Sequence, residues 1–327
     1  MEKKDVYNIA KFITVFLVVL AHVTRMYTGI GVVTPVMKSL FLKYVTEYIY
    51  SFHMPLFILL SGCVFGYCIE QGKYKDRFDF IVKKCKRLVF PYFVFGLCYV
   101  TPVMVLLHFT KQSFWEYFIE GIVFSRNSRH LWYILALFWI FVIAVFLRNV
   151  LLDGKKLFLV MCVSVMVYFL SERIEPVFQW KAAASYQIFF FLGVCVNKYF
   201  DYVFAGWKEK WYLAIPFGLL ILLRFTKVGK DFYLLYAILG IVMILGISTY
   251  LSEKNFMRFS IVKKINNNGY GIYFFHPMII YGLFAITYQK SIPPMLLSTV
   301  IFGISFVMSY YLTVMVKKLH MGCIIGD

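Results

Sequence analysis

The chain has 327 residues, of which 61% are hydrophobic and 20% aromatic, and its mean hydropathy is +0.76. This composition excludes an ordinary soluble domain, because soluble domains carry a larger polar fraction. The net charge of +18 arises from 34 basic and 16 acidic side chains. The basic residues gather between apolar segments, which is typical of a membrane protein, and so nucleic acid is not an expected partner.

Ten apolar runs follow one another along the chain, most of them long enough to cross about 30 Å of hydrocarbon. They cover residues 6–28, 45–69, 88–109, 130–148, 157–171, 182–198, 210–225, 231–251, 267–288 and 294–316. The runs are too long and continuous for barrel strands. The sequence therefore predicts an all-α polytopic integral membrane protein with about ten transmembrane helices, in which residues 1–327 form a single domain. The positive-inside rule predicts that both termini are cytoplasmic, because most Lys and Arg residues then lie on that side.

The first apolar segment carries Lys11 and His22, which lie eleven residues apart. A helix turns about 100° per residue, so the two side chains point within about 20° of each other, roughly 16 Å apart along the axis. Asn8, Thr14 and Arg25 fall near the same stripe. Cations and imidazoles usually face a protein interior or a wet cavity when they lie within a membrane. This stripe is therefore the first candidate site.

The predicted topology places His22 in the outer half of the bilayer, where burial favours a neutral ring. A neutral imidazole can remove a proton from an alcohol, so His22 is a candidate general base. The alternative is a structural histidine bonded to a neighbouring helix. Lys11 either reaches the inner headgroups or forms the cationic inner mouth of a conduit towards His22. The spacing is near the reach of an extended pantetheine arm, which would bring a thioester from the cytoplasm.

The second apolar segment adds several candidates. Glu47, near its outer end, either orients or protonates a reaction partner or pairs with Lys43. His53 precedes Pro55, and the proline predicts a kink in the helix. Ser61 and the glycine after it permit the close approach of a neighbouring helix or of a ligand. For His53, helix packing remains as good an interpretation as a role in the site.

The two loops around the third segment carry further cations. Residues 70–87 are rich in basic side chains and end in Lys84 and Arg87. These cations either contact anionic lipid headgroups or bind a phosphorylated cytoplasmic donor, since Arg forks match phosphate geometry. The longest outer loop ends in Arg129, and Trp132 follows. Trp132 either belongs to an interfacial aromatic belt or stacks on a sugar ring.

Residues 266–269, with the sequence Asn-Asn-Asn-Gly, predict a turn that opens the ninth helix. This helix carries Tyr273 and His276, and Pro277 predicts a second kink. Packing and binding remain open for both side chains. The seven cysteines form no C-x-x-C pair and no metal-binding motif occurs, so we expect no metal.

Five motifs occur in order: Lys11-x10-His22, Ser51-Phe-His-Met-Pro-Leu-Phe-Ile-Leu-Leu-Ser-Gly62, Lys84-x-x-Arg87 with Leu-Val-Phe-Pro91-Tyr, Leu131-Trp-Tyr133 and Tyr273-Phe-Phe-His-Pro277. In this order, and over essentially the whole chain, they resemble the membrane acyltransferase-3 family, especially its polysaccharide and fucose O-acetylase branch. Lysine stands at position 11 where that family more often has arginine, which keeps the charge but not the bidentate fork. Cys63 replaces the usual aromatic residue after Ser-Gly.

The resemblance implies the transfer of an acyl group, usually acetyl, from cytoplasmic acetyl-CoA to a sugar hydroxyl at the outer side of a bacterial inner (cytoplasmic) membrane. The acceptor would be a surface glycan or its lipid-linked precursor, and membrane lipids are the other expected partners. His22 would be the catalytic histidine. The residues themselves, apart from the resemblance, add Glu47 as the candidate acid that orients or protonates a reaction partner. The candidates for the CoA side are Lys11, Ser61, Lys84 and Arg87. The candidates for contact with the acceptor are His53, Arg129, Trp132, Tyr273 and His276.

Two other classes of function stay open. A transporter or flippase of lipid-linked saccharides would need a polar pathway through several helices and usually an internal repeat. No repeat is evident, and the intramembrane polar residues concentrate in the first, second and ninth segments. A non-catalytic component of a polysaccharide export complex is the other class. The sequence leaves open the acceptor hydroxyl, the acyl group and the oligomeric state. It also leaves open whether transfer is direct or passes through an acyl-histidine intermediate.

Overall fold

A computed structural model of the chain describes residues 3–204, 206–207, 212, 214–226 and 232–327. These residues are helical, with turns between the helices, and contain no β-strand. The main helices are α1 (Lys3–Thr24), α2 (Leu40–Tyr50), α3 (His53–Glu70), α4 (Arg77–Leu106), α5 (Trp132–Phe146), α6 (Gly154–Leu170), α7 (Trp180–Lys198), α8 (Ala214–Ile221), α9 (Tyr233–Glu253), α10 (Ser260–Thr287) and α11 (Pro294–Lys318).

Eight helical segments among the described residues are long and apolar enough to cross a membrane. They coincide with eight of the ten predicted spans, and so the prediction of an all-α, multi-pass membrane protein is confirmed. The predicted span 182–198 falls on α7, and the span 210–225 falls on the shorter apolar helix that contains α8. Residues 210, 211 and 213 of the latter span, and residue 231 of the predicted span 231–251, lie outside the described residues. The count of ten and the cytoplasmic termini stay predictions.

The helices group into two compact units. The first unit contains Met1–Phe57 and Phe204–Leu319, and in it α1 packs against α2, α9, α10 and α11. The second unit contains Ile58–Val203 and His320–Asp327, and in it α7 packs against both α5 and α6. The organisation of residues 1–327 as one domain stays a prediction.

The kink predicted at Pro55 takes the form of a break between α2 and α3. α2 ends at Tyr50 and α3 begins at His53. A proline has no N–H to donate and its ring clashes with the carbonyl four residues earlier, here that of Ser51. The break leaves the rings of Tyr50 and His53 with centroids 4.7 Å apart. In contrast, α10 continues through Pro277 without interruption.

α4 contains two π-helical turns, Cys85–Val89 and Gly96–Val100. Each lies just before a proline, Pro91 in the first case and Pro102 in the second. Because these residues cannot donate a backbone hydrogen bond and their rings displace the preceding carbonyls, the helix widens locally. The first π turn contains Arg87, one of the predicted donor-binding residues.

The turn predicted at residues 266–269 is wrong, because these residues lie inside α10, which begins at Ser260. The side-chain amide of Asn266 donates a hydrogen bond of 2.9 Å to the backbone carbonyl of Asn8 on α1. The amide of Asn268 donates to a carbonyl one turn earlier in its own helix at 2.8 Å. Both side-chain NH2 groups thereby find acceptors without leaving the helix, whereas the buried side-chain oxygen of Asn266 has none among the described residues. Contact with α1 thus overrides the local tendency to form a turn.

Candidate active site

Several of the predicted site residues meet in the first unit. The rings of His22 on α1 and His276 on α10 lie 4.8 Å apart, centroid to centroid, and are nearly perpendicular. The ring of Tyr50 is 6.4 Å from that of His22 and 4.7 Å from that of His53. Tyr273 borders His276 at 6.1 Å. We call His22, Tyr50, His53, Tyr273 and His276 the histidine cluster.

The three histidines of the cluster share one hydrogen-bonding pattern. Each Nδ1 lies 2.8–2.9 Å from the backbone carbonyl four residues earlier, which belongs to Val18, Ile49 or Ile272. A carbonyl can only accept, so Nδ1 carries the proton and a neutral ring presents its lone pair at Nε2. No described residue forms a hydrogen bond with Nε2 of His22. His22 therefore has the tautomer that a general base requires.

Arg25 and Tyr50 form a pair of donors beside the imidazole of His22. The guanidinium of Arg25 donates a hydrogen bond of 3.2 Å to the Tyr50 hydroxyl and lies 5.5 Å from the centroid of its ring. Tyr281 is close enough to Arg25 to interact with it electrostatically. Donors grouped in this way can stabilise negative charge that develops on a substrate oxygen. The polar stripe predicted on α1 includes Arg25. Tyr50 is not among the predicted site residues, although it lies only three residues before the candidate His53 in the sequence.

Lys11 lies on the same stripe of α1 as His22, about 16 Å from it along the axis. Its ammonium donates a hydrogen bond of 2.9 Å to the backbone carbonyl of Asn266 on α10. The amide of the same asparagine is bonded to Asn8. Lys11 is thus held against a neighbouring helix. Asn266 was not predicted as its partner, because the sequence placed Asn266 in a turn.

A narrow seam follows α1 and α10 from Lys11 towards the histidine cluster. It is lined by Val15, Val18, Val19, Phe57, Gly269, Ile272, Tyr273 and His276. The seam is too narrow to hold a water molecule. A Cβ atom on Gly269 would lie 3.2 Å from a methyl of Val15 and 3.5 Å from Cε of Lys11. The part of the predicted conduit that runs along this seam therefore leaves no room for an acyl donor in this structure.

Glu47 lies half-buried on α2, three residues before Tyr50. In the part of the chain that the structure describes, its carboxylate forms no ion pair with Lys43 and no hydrogen bond with His22. The alternative in which Lys43 neutralises it is therefore not realised. Its role towards a reaction partner stays a prediction.

Ser61 lies in the second unit, where its hydroxyl shares a hydrogen bond with that of Tyr133. The next residue, Gly62, faces α7 so closely that a Cβ atom would overlap the backbone carbonyl of Phe190. Gly193 of α7 faces a backbone carbonyl of α3 in the same way. The two glycines therefore allow the backbones of α3 and α7 to touch. This contact agrees with the interpretation in which the Ser-Gly motif serves helix packing.

Lys84 and Arg87 lie on α4 in the second unit. The ammonium of Lys84 is 3.7 Å from the ring centroid of Phe141 and 5.2 Å from that of Phe80, so cation–π attraction stabilises it. Arg87 and the thiol of Cys68 are near enough to act on it electrostatically. Lys84 thus occupies an aromatic environment, and contact of either cation with CoA stays a prediction.

Arg129 and Trp132 lie at the start of α5, also in the second unit. Arg129 has a positive φ of 53°, and its Nε donates a hydrogen bond of 3.4 Å to the hydroxyl of Tyr117. Burial raises the pKa of the Tyr117 phenol against the opposing effect of Arg129, so this hydroxyl keeps its proton and donates to the carbonyl of Asn127 at 3.0 Å. Trp132 packs against Tyr186 with ring centroids 5.1 Å apart. Their contact with a sugar stays a prediction.

The described residues contain no group of three or more His, Cys, Asp or Glu side chains arranged to hold a metal ion. In the histidine cluster, the Nδ1 atoms of all three imidazoles are engaged with backbone carbonyls. The cluster offers proton transfer at Nε2 of His22, with hydrogen-bond donation by Arg25 and Tyr50.

The family of the protein follows from a match that spans nearly the whole chain. A family model described as an acyltransferase domain matches residues 6–314. The chain belongs to the acyltransferase-3 family. The match extends from α1 into α11, and so this acyltransferase-3 domain includes Lys11 and the complete histidine cluster.

Relatives of this acyltransferase-3 protein occur in Staphylococcus aureus. The probable poly-beta-1,6-N-acetyl-D-glucosamine export proteins of strains MRSA252 and MSSA476 are each 24% identical over 273 residues, which covers 76% of this chain and 75% of theirs. The protein of the same name from strain Mu50 is 23% identical over the same length. No solved structure matches the chain.

Proposed function

We propose that this acyltransferase-3 protein transfers an acetyl group from cytoplasmic acetyl-CoA to a hydroxyl of a surface polysaccharide or of its lipid-linked precursor, in the cytoplasmic membrane of a bacterium. One observation carries the proposal. His22 donates its Nδ1 proton to Val18, keeps the lone pair of Nε2 without a described partner, and lies beside the donor pair of Arg25 and Tyr50. Membership of the acyltransferase-3 family supports the reaction class.

The reaction requires a base and a group that stabilises the carbonyl oxygen. Nε2 of His22 removes the proton of the acceptor hydroxyl while the oxygen attacks the carbonyl carbon of the thioester. Arg25 and Tyr50 donate hydrogen bonds to the negative oxygen that forms. When the carbon–sulfur bond breaks, the thiolate of CoA takes the proton from the imidazolium ring. The products are the acetyl ester and free CoA, and His22 is neutral again.

Replacement of Lys11 by methionine is expected to raise the KM for acetyl-CoA about tenfold with little change in kcat, because a charge-assisted contact with the donor is lost. Initial rates of transfer in vesicles, measured over a range of acetyl-CoA concentrations, provide the test. Lys263→Met is the matched control, since Lys263 is exposed on α10. An unchanged KM in the Lys11 variant would count against the donor role.

Replacement of Tyr50 by phenylalanine is expected to lower kcat about 100-fold, because one donor to the carbonyl oxygen disappears. The ring that packs against His53 is kept, so the fold and the KM for acetyl-CoA should change little. Tyr44→Phe removes a hydroxyl from an exposed ring on the same helix and serves as the control. Equal kcat values for the Tyr50 and Tyr44 variants would remove Tyr50 from the mechanism.

Reconstitution tests the proposed function directly. Purified protein in vesicles receives acetyl-CoA on one side and a glycan acceptor on the other, and free CoA and the mass of the glycan are measured. Release of CoA together with a mass gain of one acetyl group on the glycan supports acetyl transfer.

Polysaccharide export is a second candidate function, favoured by the names of the staphylococcal relatives. An exporter, or a flippase of lipid-linked sugars, moves saccharide across the vesicle without consuming acetyl-CoA. A non-catalytic component of an export complex does neither alone. Glycan movement without CoA release would therefore overturn acetyl transfer in favour of export.

A further inference from the structure

The second unit contains a cavity between α5, α6 and α7. Its volume is about 610 Å³, within the range of roughly 300 to 1,000 Å³ typical of small-molecule sites. Aliphatic and aromatic side chains from all three helices form most of the lining. Of its polar side chains, Gln187 uses its amide nitrogen to donate a hydrogen bond of 2.9 Å to the backbone carbonyl of Ser164. The walls therefore offer hydrophobic contact to an occupant.

The cavity adjoins the outward face of α6, which packs against the protein along only a small part of its length. Leu159 and Val163 both line the cavity, and both are exposed, by 63% and 46% respectively. An exposed apolar face on a helix that can span a bilayer contacts hydrocarbon chains. An apolar cavity does not hold water stably, so hydrocarbon from the membrane is the occupant that matches these walls.

The two ends of the cavity differ in charge. At one end, next to Leu147 and Val150, cations outnumber carboxylates; the charged residues there are Arg148, Lys155, Lys156, Lys198, Asp153, which pairs with Lys156 at 3.7 Å, and Glu70, which accepts from Asn197. At the other end, next to Ile174 and Trp180, acids and bases balance; the charged residues there are Glu172, Arg173, Glu175 and Lys181. The first end therefore carries a positive surplus and attracts an anionic headgroup.

Two contacts hold cations at the basic end. The ammonium of Lys198 donates a hydrogen bond of 2.7 Å to the carbonyl of Leu152, in the connection between α5 and α6. The guanidinium of Arg148 donates to the carbonyl of Lys73 at 3.1 Å. Neutral carbonyls orient these two cations without cancelling their charge. A phosphate at this end would supply the negative charge that the neutral carbonyls do not.

We propose that this cavity binds one acyl chain of an anionic glycerophospholipid, whose phosphate lies against the basic end formed by Arg148, Lys155, Lys156 and Lys198. The indole rings of Trp139 and Trp180 lie with centroids 5.4 Å apart and line the opposite end, where the methyl terminus of the chain is placed. The bound lipid would stabilise the packing of α5, α6 and α7. This site is independent of the proposed acetyl transfer.

Native mass spectrometry of the purified protein tests the proposal. The protein in detergent is incubated with phosphatidylglycerol or with phosphatidylcholine that carries the same acyl chains, and the lipids retained are counted. Val163→Trp fills the cavity and is expected to reduce retained phosphatidylglycerol at least about tenfold. Val165→Trp is the matched control, because Val165 lies on the same helix, is 39% exposed and does not line the cavity.

The headgroup is tested with a double variant, Lys155→Gln with Lys156→Gln. It is expected to equalise the retention of the two lipids, whereas the unmodified protein should prefer phosphatidylglycerol. Ala184→Phe fills the same cavity from α7 and replaces Val163→Trp if that variant does not fold. Equal retention by the cavity-filling variant and its Val165 control overturns the acyl-chain site. Equal retention of both lipids by the unmodified protein overturns the anionic headgroup.

Discussion

Replacement of His22 by glutamine is expected to lower kcat for acetyl transfer about a thousandfold, with a much smaller change in the KM for acetyl-CoA. General-base catalysis contributes about 10²- to 10⁴-fold, and glutamine supplies no basic lone pair. Its amide can still donate to the carbonyl of Val18, which now accepts from Nδ1 of His22 at 2.9 Å. Packing against His276 is largely kept, so the loss should fall on chemistry and not on folding.

The measurement is acetyl transfer from acetyl-CoA in vesicles, with the amount and thermal stability of each variant determined in parallel. His320→Gln is the control, since that histidine is exposed and lies outside the cluster. Undiminished transfer by the His22 variant at normal expression would rule out His22 as the base. Loss of activity in His53→Gln with full activity in His22→Gln would instead assign the lone pair of His53 to proton removal, because both rings share the same tautomer.

The sequence sufficed to place Lys11 and His22 on one stripe of one helix, because helical periodicity fixes direction over eleven residues. It did not reveal which groups face that stripe from other helices. His276 meets His22 only because α1 packs against α10, and this pairing joins segments far apart in the chain. Tyr50 reaches the same place because Pro55 ends α2 where it does. Both depend on tertiary packing, for which a single sequence carries little signal.

Predictions from local sequence patterns were wrong where contacts with other helices oppose the local preference. Three asparagines and a glycine favour a turn, yet the bonds of Asn266 to Asn8 and Lys11 keep this segment helical. The conduit between Lys11 and His22 was predicted from their spacing alone. Spacing along one helix does not show that valine side chains fill the space between them.

Valine in place of Gly193 is expected to destabilise the second unit by about 3 kcal/mol or more, which is the upper range for overpacking. A Cβ atom at this position would overlap the backbone carbonyl of Leu59, and backbone cannot rotate away as a flexible side chain can. The helices α3 and α7 would have to separate, with loss of the contacts around Phe190. The expected result is a lower unfolding temperature in detergent and a smaller monodisperse fraction on size-exclusion chromatography.

Gly303→Val is the matched control, because nothing lies within 4 Å of a Cβ atom built on Gly303 of α11. Equal unfolding temperatures for the two variants would contradict the packing role.

The same comparison decides the meaning of the Ser-Gly motif. If Gly62→Ala loses stability as Gly193→Val does, while Ser61→Ala keeps both stability and the KM for acetyl-CoA, the motif serves the α3–α7 contact. A raised KM in Ser61→Ala at unchanged stability would instead assign Ser61 to the donor, since the serine hydroxyl, bonded to Tyr133, is the part of the motif that offers a polar group to a ligand.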